Sequence, residues 1–325
     1  MSETIDPIRS AAQGLLHDIT ATIDELRGDA PRGDGRSLDA EQVTLDTDGS
    51  GSVAVYRELS GEGSPVLLVH SVNAAASAYE MRPLFEHYRG QRPVYAMDLP
   101  GFGASSRDDA EYTPERYAAA IERVLIDVVG AEKTPATVVA LSLSSEFVAR
   151  VAARSPSLVR AVAYISPTGM GRRQAEAGHG PLDGLRQRFF KTDAIFKPLF
   201  KGLSARPSVR YFLSKAFEGA PPADLVDHAV EAARAPGAWH APAAFLSGAL
   251  FTPDAMTSLY QKVTAPQLVI YGEDPYTDFG AVSSLLAARP GAVRVEVLPT
   301  RGMAHWDHTR EVTDAIARAE SDEAS

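Results

Sequence analysis

Residues 137 to 156 read TVVALSLSSEFVARVAARSP, and three serines, Ser142, Ser144 and Ser145, crowd into four positions. A serine hydroxyl becomes a nucleophile only beside a base that takes its proton, so a reactive serine must stand exposed near a histidine. One arrangement that achieves this is a sharp strand-to-helix turn that lifts the serine above the end of a sheet. The residues two before and two after it must be small, because backbone segments approach closely there. Ser142 fits: the β-type run TVVAL precedes it, Ala140 and Ser144 flank it, and a helical run follows. Ser144 would put Glu146 at a small-residue position, and Ser145 would put Phe147 there. Crowded serines are more often turn or surface residues, so the choice depends on what the rest of the chain supplies.

The chain has 325 residues, 45% of them hydrophobic and 23% charged, which suits a globular protein with a sizeable core. A formal charge of −10 argues against a nucleic-acid partner, since nothing offers an overall phosphate-neutralising surface. The absence of cysteine excludes disulfides and thiolate metal sites and leaves the compartment open. The opening MSETIDPIRSAAQG lacks the basic stretch and apolar core of a secretory signal. No uncharged apolar run approaches the roughly 20 residues that span a bilayer. A soluble, cytoplasmic protein is the expectation. No histidine pairs with a carboxylate at metal-ligand spacing on a helix, so no metal is expected. The GFGASS run at 101–106 lacks the third glycine and the βαβ placement of a dinucleotide fingerprint, so no cofactor is expected either.

The elements that must position a nucleophile follow from the pattern. Residues 7–27 place Ile8, Ala11, Leu15, Ile19, Ile23 and Leu26 on one helical face, an amphipathic helix packed on the domain or on a second copy of the chain. GDAPRGDGRS breaks it. QVTLDT and SVAVYREL read as a hairpin around DGSGS. Short apolar runs at SPVLLVHS, RPVYAMDLPG, TPATVVALS, VRAVAYISP, PQLVIYGED and VRVEVLPT then alternate with helical patterns, among them TPERYAAAIERVLIDVVGA, opened by Thr113 and Pro114. This alternation predicts an α/β fold with a mostly parallel sheet and helices on both faces.

Between Pro167 and Thr264 the alternation stops, and the pattern there is helical. Within it, Phe189, Phe190, Phe196, Phe200 and Phe212 interleave with Arg186, Arg188, Lys191, Lys197, Lys201, Arg206, Arg210 and Lys215, opposed only by Asp193. The plain reading is a helical cap with a solvated basic face. The alternative is a lid that attracts anionic or amphiphilic substrates, or a membrane surface. The organisation expected is an N-terminal helical extension over 1–35, a core over 40–167 and 264–320, and a helical cap over 168–263.

Four segments together resemble the α/β-hydrolase superfamily over most of the chain outside the N-terminal helix and the cap. VLLVHSVNAAASAYEMRPLFEHY is similar to the His-Gly-x segment after the third strand. VYAMDLPGFGASS resembles the Asp-x-Pro-Gly-x-Gly-x-Ser stretch after the fourth and is the most specific match. APQLVIYGEDP resembles the loop after the seventh strand, and GMAHWDH the histidine loop near the C-terminus. The resemblance implies an eight-stranded α/β-hydrolase fold with a helical cap, and a serine hydrolase of carboxylesterase or lipase type acting on a small, moderately apolar ester. It implies a Ser142, Asp274, His305 triad, with His305 as general base and Asp274 orienting it. The loop GEDPYTD is one residue shorter than the family pattern, which keeps Glu273 and Asp278 open for the acid. His308 is the nearest rival histidine. An oxyanion needs two donors: the N–H of Leu143, next after the serine, and by resemblance the N–H of Val72.

Ser71, Ser144 and Ser145 stand where the family carries glycine, which narrows the space beside the nucleophile. Asn73 offers either a side-chain donor or a turn residue. His70 and Asp98 read as structural. The aspartate and cysteine nucleophiles of other branches are excluded at position 142 by identity. Alternative chemistries on the same triad are C–C bond hydrolysis, thioester hydrolysis and perhydrolysis, and a ligand receptor of hydrolase fold is the reading from outside enzymology.

Overall fold

The computed structural model of the protein describes residues 35–47, 51–171, 190 and 192–321. The amphipathic helix expected over 7–27 lies outside the described residues, as do 172–189, with Arg186, Arg188 and Phe189, and also Lys191.

Eight strands form one sheet in the order β1-β2-β4-β3-β5-β6-β7-β8. β1 (Glu41–Asp46) and β2 (Ser52–Glu58) make the antiparallel hairpin, and β2 is antiparallel to β4 (Val94–Met97). The remaining pairings, through β3 (Val66–Val69), β5 (Ala136–Leu141), β6 (Val159–Ile165), β7 (Gln267–Tyr271) and β8 (Val293–Val297), are all parallel. Every residue of β3, β4 and β5 is buried, which explains why their sequences run apolar without alternation. β1, at the edge, alternates instead.

Helices cover both faces. On one, α2 (Pro114–Arg123) and α3 (Ser144–Arg154) bring Tyr117, Ile121, Phe147 and Val151 against Val55 and Val138. On the other, α1 (Arg82–Tyr88) and the C-terminal helix (Thr309–Ser321) bring Leu84, Phe85, Val312 and Ile316 against Leu68, Val139 and Ile270. The Thr113 side chain accepts from the Arg116 N–H at 3.1 Å, and Pro114 opens α2, as the sequence predicts. The single helix read over 113–131 instead widens into a π-helical turn at Val124–Val129, which buries Val124, Leu125 and Val129 and closes on left-handed Gly130.

Between β6 and β7 the described elements are helices: α4 (Asp193–Leu203), α5 (Arg206–Ala216), α6 (Ala223–Ala232), α7 (His240–Leu246) and the short α8 (Ala255–Ser258). Beyond β7 come α9 (Val282–Ala288), the one-turn α10 (Ala304–Asp307) and the C-terminal helix, α11. The strand order reverses at β3, since β4 lies to one side and β5 to the other. In open parallel sheets that reversal leaves a crevice beyond the strand ends. Ser142 follows β5 and Val72 follows β3, so the topology alone delivers both to that crevice.

Candidate active site

Ser142 leaves β5 with φ +56°, one of three non-glycine residues with positive φ among the described residues. Left-handed backbone costs a non-glycine residue about 1 kcal/mol or more and persists only where the surroundings dictate it. Here the Ser142 N–H donates to the Ile165 carbonyl at 2.9 Å and its own carbonyl accepts from the Ser145 N–H at 3.1 Å, pinning the turn between β6 and α3. The two rival serines are committed elsewhere. Ser144, fully buried, donates its hydroxyl to the His70 carbonyl, and buried Ser145 points its Oγ at the Ala140 carbonyl, 3.5 Å away. Ser142 is half-buried, and its hydroxyl makes no hydrogen bond among the described residues.

The two expected oxyanion donors are also uncommitted: among the described residues, neither the Val72 N–H nor the Leu143 N–H reaches an acceptor. β3 and β5 are parallel neighbours with Val69 opposite Ala140, so these amides follow adjacent strand ends. The loop that carries Val72 is held by a residue that the sequence reading passed over. The buried Glu80 carboxylate accepts the Ser71 N–H at 2.9 Å and the Asn73 Nδ2–H at 2.8 Å. Asn73 also donates to Ser71 Oγ at 2.9 Å and accepts the Ala75 N–H at 2.7 Å. Asn73 is therefore a turn residue with its amide fully employed.

His70 accepts the Leu99 N–H on Nε2 at 2.9 Å, so Nδ1 carries the proton and donates it to the Ser71 carbonyl at 2.5 Å. Burial holds it neutral. Asp98 accepts from Ser37 Oγ (2.9 Å), Tyr56 OH (3.0 Å), the Ala78 N–H (2.7 Å) and the Ala104 N–H (2.8 Å). These two residues bind loops together.

The three candidate acids occupy different places. Glu273 is exposed. Asp278 faces the other side of the loop, where a Cβ on Gly171 would lie 2.4 Å from its Oδ2. Asp274 faces the histidine loop, since a Cβ on Gly302 would lie 3.1 Å from its Oδ2. Its carboxyl is raised above the usual range by burial, opposed by the Tyr276 and Thr277 amides; Ser166 Oγ lies nearby but outside ordinary hydrogen-bond geometry.

His305 sits on α10 and is fully buried. Its Nε2 lies 2.7 Å from the Glu80 carbonyl oxygen. A carbonyl only accepts, so Nε2 carries the proton and Nδ1 holds the lone pair, buried without a partner among the described residues. Trp306 Nε1 donates to the same oxygen at 2.7 Å. Among the described residues no hydrogen bond joins His305 to Asp274 or to Ser142. His308, the rival, is turned away and pairs with Glu218 at 2.9 Å. The structure thus places Ser142, Val72 and Leu143 together at the switch point and Asp274 against the His305 loop, with the His305 ring engaged elsewhere. No group of three or more His, Asp or Glu side chains converges as metal ligands would among the described residues.

Burial lowers the His305 pKa from the ordinary 6.5 to about 4. An unfolded chain returns the ring to 6.5, so between pH 6.5 and about 4 only the unfolded state takes up this proton. Folding stability is therefore whole above that window and falls as pH drops through it, by roughly 3 kcal/mol in all from this group. Denaturant unfolding at a series of pH values checks this. His305→Asn should remove about one proton from the pH dependence, leaving the parts due to His70, His228 and His87, whose pKa values burial also lowers.

Residues 66–318 match the model of the alpha/beta hydrolase family. The chain belongs to that family. The expected fold, an eight-stranded and mostly parallel sheet with helices on both faces, is the one observed. Among curated proteins, a haloalkane dehalogenase of Agrobacterium fabrum (strain C58) is 32% identical over 107 residues. That stretch is 33% of this chain and 34% of the dehalogenase, so the chain matches about a third of that relative's length. Among solved structures, the haloalkane dehalogenase DbeA of Bradyrhizobium elkani USDA94 superposes with TM-score 0.68 at 19% identity, covering 88% of this chain and 100% of that one. A serine hydrolase involved in carbazole degradation, CarC, superposes with TM-score 0.64 at 16% identity, covering 86% and 98%. At these identities the solved structures show the fold that the chain shares with them. No described helix is long and apolar enough to cross a membrane.

Proposed function

We propose that this hydrolase cleaves a carboxylic ester-type bond in a small, moderately apolar molecule through an acyl-enzyme on Ser142, in the cytoplasm. The observation that carries the reading is Ser142 itself: a left-handed strand-to-helix turn carries a hydroxyl that, like the Val72 and Leu143 amides after the adjacent strand ends, has no partner among the described residues. In the proposed cycle Ser142 Oγ attacks the carbonyl carbon and passes its proton to His305. The Val72 and Leu143 amides receive the oxyanion, and the alcohol leaves with the proton from His305. Water, deprotonated by His305, then cleaves the acyl-enzyme and restores the serine. For this the ring must leave the Glu80 carbonyl, so that Nε2 offers its lone pair to Ser142 and Nδ1–H faces Asp274. The serine at 142 excludes the aspartate nucleophile of other branches of the superfamily.

A second reading has one observation in its favour. His305 held on Glu80, with its basic nitrogen unpartnered, is a ring not engaged with the nucleophile, as in a ligand receptor that binds without turnover. Steady-state hydrolysis of a panel of short aryl esters and thioesters separates the two. Many turnovers per molecule are the expected result, with esters preferred. Stoichiometric acylation that stops after one equivalent favours the receptor, and thioester preference moves the substrate class.

A further inference from the structure

Helices α4 and α5 turn two kinds of side chain toward solvent. Ile195, Leu199, Tyr211 and Phe212 are 44%, 41%, 58% and 45% exposed, half of the large exposed apolar side chains among the described residues. Ile195 and Leu199 are one helical turn apart on α4, and the Tyr211 and Phe212 rings meet at 5.5 Å on α5. Tyr276, also exposed, joins them by donating its hydroxyl to the Phe212 carbonyl at 3.0 Å. The inward faces of these helices are already filled: Phe196 and Phe200 pack with Ala233 and Ala238, and Val209 with Val226 and Val230. The outward apolar residues therefore have no task in holding the helices to the fold.

The same two helices also carry cations. Lys197, Lys201, Arg206, Arg210 and Lys215 are all exposed on these two helices, on a chain whose net charge is −10. Arg206 pairs with Asp227, but among the described residues no carboxylate pairs with Lys201, Arg210 or Lys215. Lys215 instead lies over the Tyr211 ring, 5.1 Å from its centroid.

We propose that the outer face of α4 and α5 docks on an anionic phospholipid surface, with Ile195, Leu199, Tyr211 and Phe212 entering the headgroup region and Lys201, Arg210 and Lys215 meeting phosphates. Two features choose this occupant. Exposed apolar side chains on helices that also carry cations with no carboxylate partner among the described residues match a layer that offers acyl chains beneath phosphates. A soluble acidic partner would satisfy the cations alone and leave the aliphatic side chains exposed. The surface is joined to the candidate site, because the Ala216 carbonyl at the end of α5 accepts the Met303 N–H at 3.0 Å, two residues before His305. The proposal does not depend on the ester reading and stands or falls separately.

Flotation of the full chain with vesicles tests it. Vesicles of equal parts phosphatidylcholine and phosphatidylglycerol should carry the protein up the gradient, and pure phosphatidylcholine should not. Each neutralised cation should weaken partitioning about fivefold, so Lys201→Gln, Arg210→Gln and Lys215→Gln together should weaken it about a hundredfold. Added salt should weaken it as well. Leu199→Ser with Phe212→Ser should abolish retention at moderate salt. All these positions are exposed, and unchanged thermal melting confirms that the variants fold. Wild type left at the bottom with anionic vesicles overturns the proposal, as does flotation that the neutralised variant retains. Self-association of wild type without lipid, relieved by Leu199→Ser with Phe212→Ser, also overturns it and assigns the face to a second copy of the chain.

Discussion

Ser142→Ala should lower kcat for ester hydrolysis by about four to six orders of magnitude while leaving KM within a few-fold of wild type. The size follows from the mechanism, because removing the attacking oxygen leaves only the oxyanion amides and binding to act on the carbonyl. Ser144→Ala removes a hydroxyl bonded to the His70 carbonyl and should cost about 1 kcal/mol of stability and less than tenfold in rate. Ser142→Gly sharpens the comparison. Ser142 holds φ +56°, a conformation that glycine adopts without penalty, so this variant should be inactive yet about 1 kcal/mol more stable than wild type. Loss of activity together with gained stability marks strain kept for chemistry. Urea unfolding beside initial rates reads both quantities on the same samples.

Asp98→Ala should cost about 4 kcal/mol of folding stability, far more than any change at the nucleophile. Asp98 is fully buried and gathers a hydroxyl from Ser37, another from Tyr56, and the amides of Ala78 and Ala104. Those donors come from the segment before β1, from β2, from the turn that carries Glu80, and from the loop after β4. Alanine would leave the buried Ser37, Tyr56 and Ala78 donors without this acceptor, and the part-buried Ala104 amide as well. The packing around the carboxylate is as close as its bonding: a Cβ on Gly103, whose φ is +50°, would lie 2.0 Å from the Asp98 Cγ. With whole-domain stabilities of roughly 5–15 kcal/mol, such a loss should appear as poor soluble yield as well as a lower denaturation midpoint. Guanidinium unfolding at neutral pH checks it, with Tyr56→Phe as a milder companion expected to lose about 1–2 kcal/mol. A loss below about 1 kcal/mol for Asp98→Ala would show that the donors find water instead.

The strands were legible because the buried parallel ones must be apolar at every position, and β3, β4 and β5 are. Ser142 was legible for a related reason: only its neighbours at ±2 are small enough for the crowded turn. What escaped was the support of the site. Glu80 follows Ser77 by three residues, a spacing that reads as a helix-capping box. The fold instead sends that carboxylate to the Ser71 amide and Asn73, a choice that depends on where the loop after β3 lies and not on local sequence. The orientation of the His305 ring escaped as well. Which nitrogen meets which partner is settled by a side-chain torsion and by the nearest carbonyl, Glu80, 225 positions away in the chain. The different places of Glu273, Asp274 and Asp278 were likewise not legible, because they depend on the faces of one short loop.

Intact-mass spectrometry after fluorophosphonate treatment reads the central claim most directly, on wild type beside Ser142→Ala and Ser144→Ala. The predicted result is one phosphonyl adduct on wild type and on Ser144→Ala, and none on Ser142→Ala. An adduct that survives in Ser142→Ala, or folded wild type that takes up no probe, would contradict an activated serine at the head of α3.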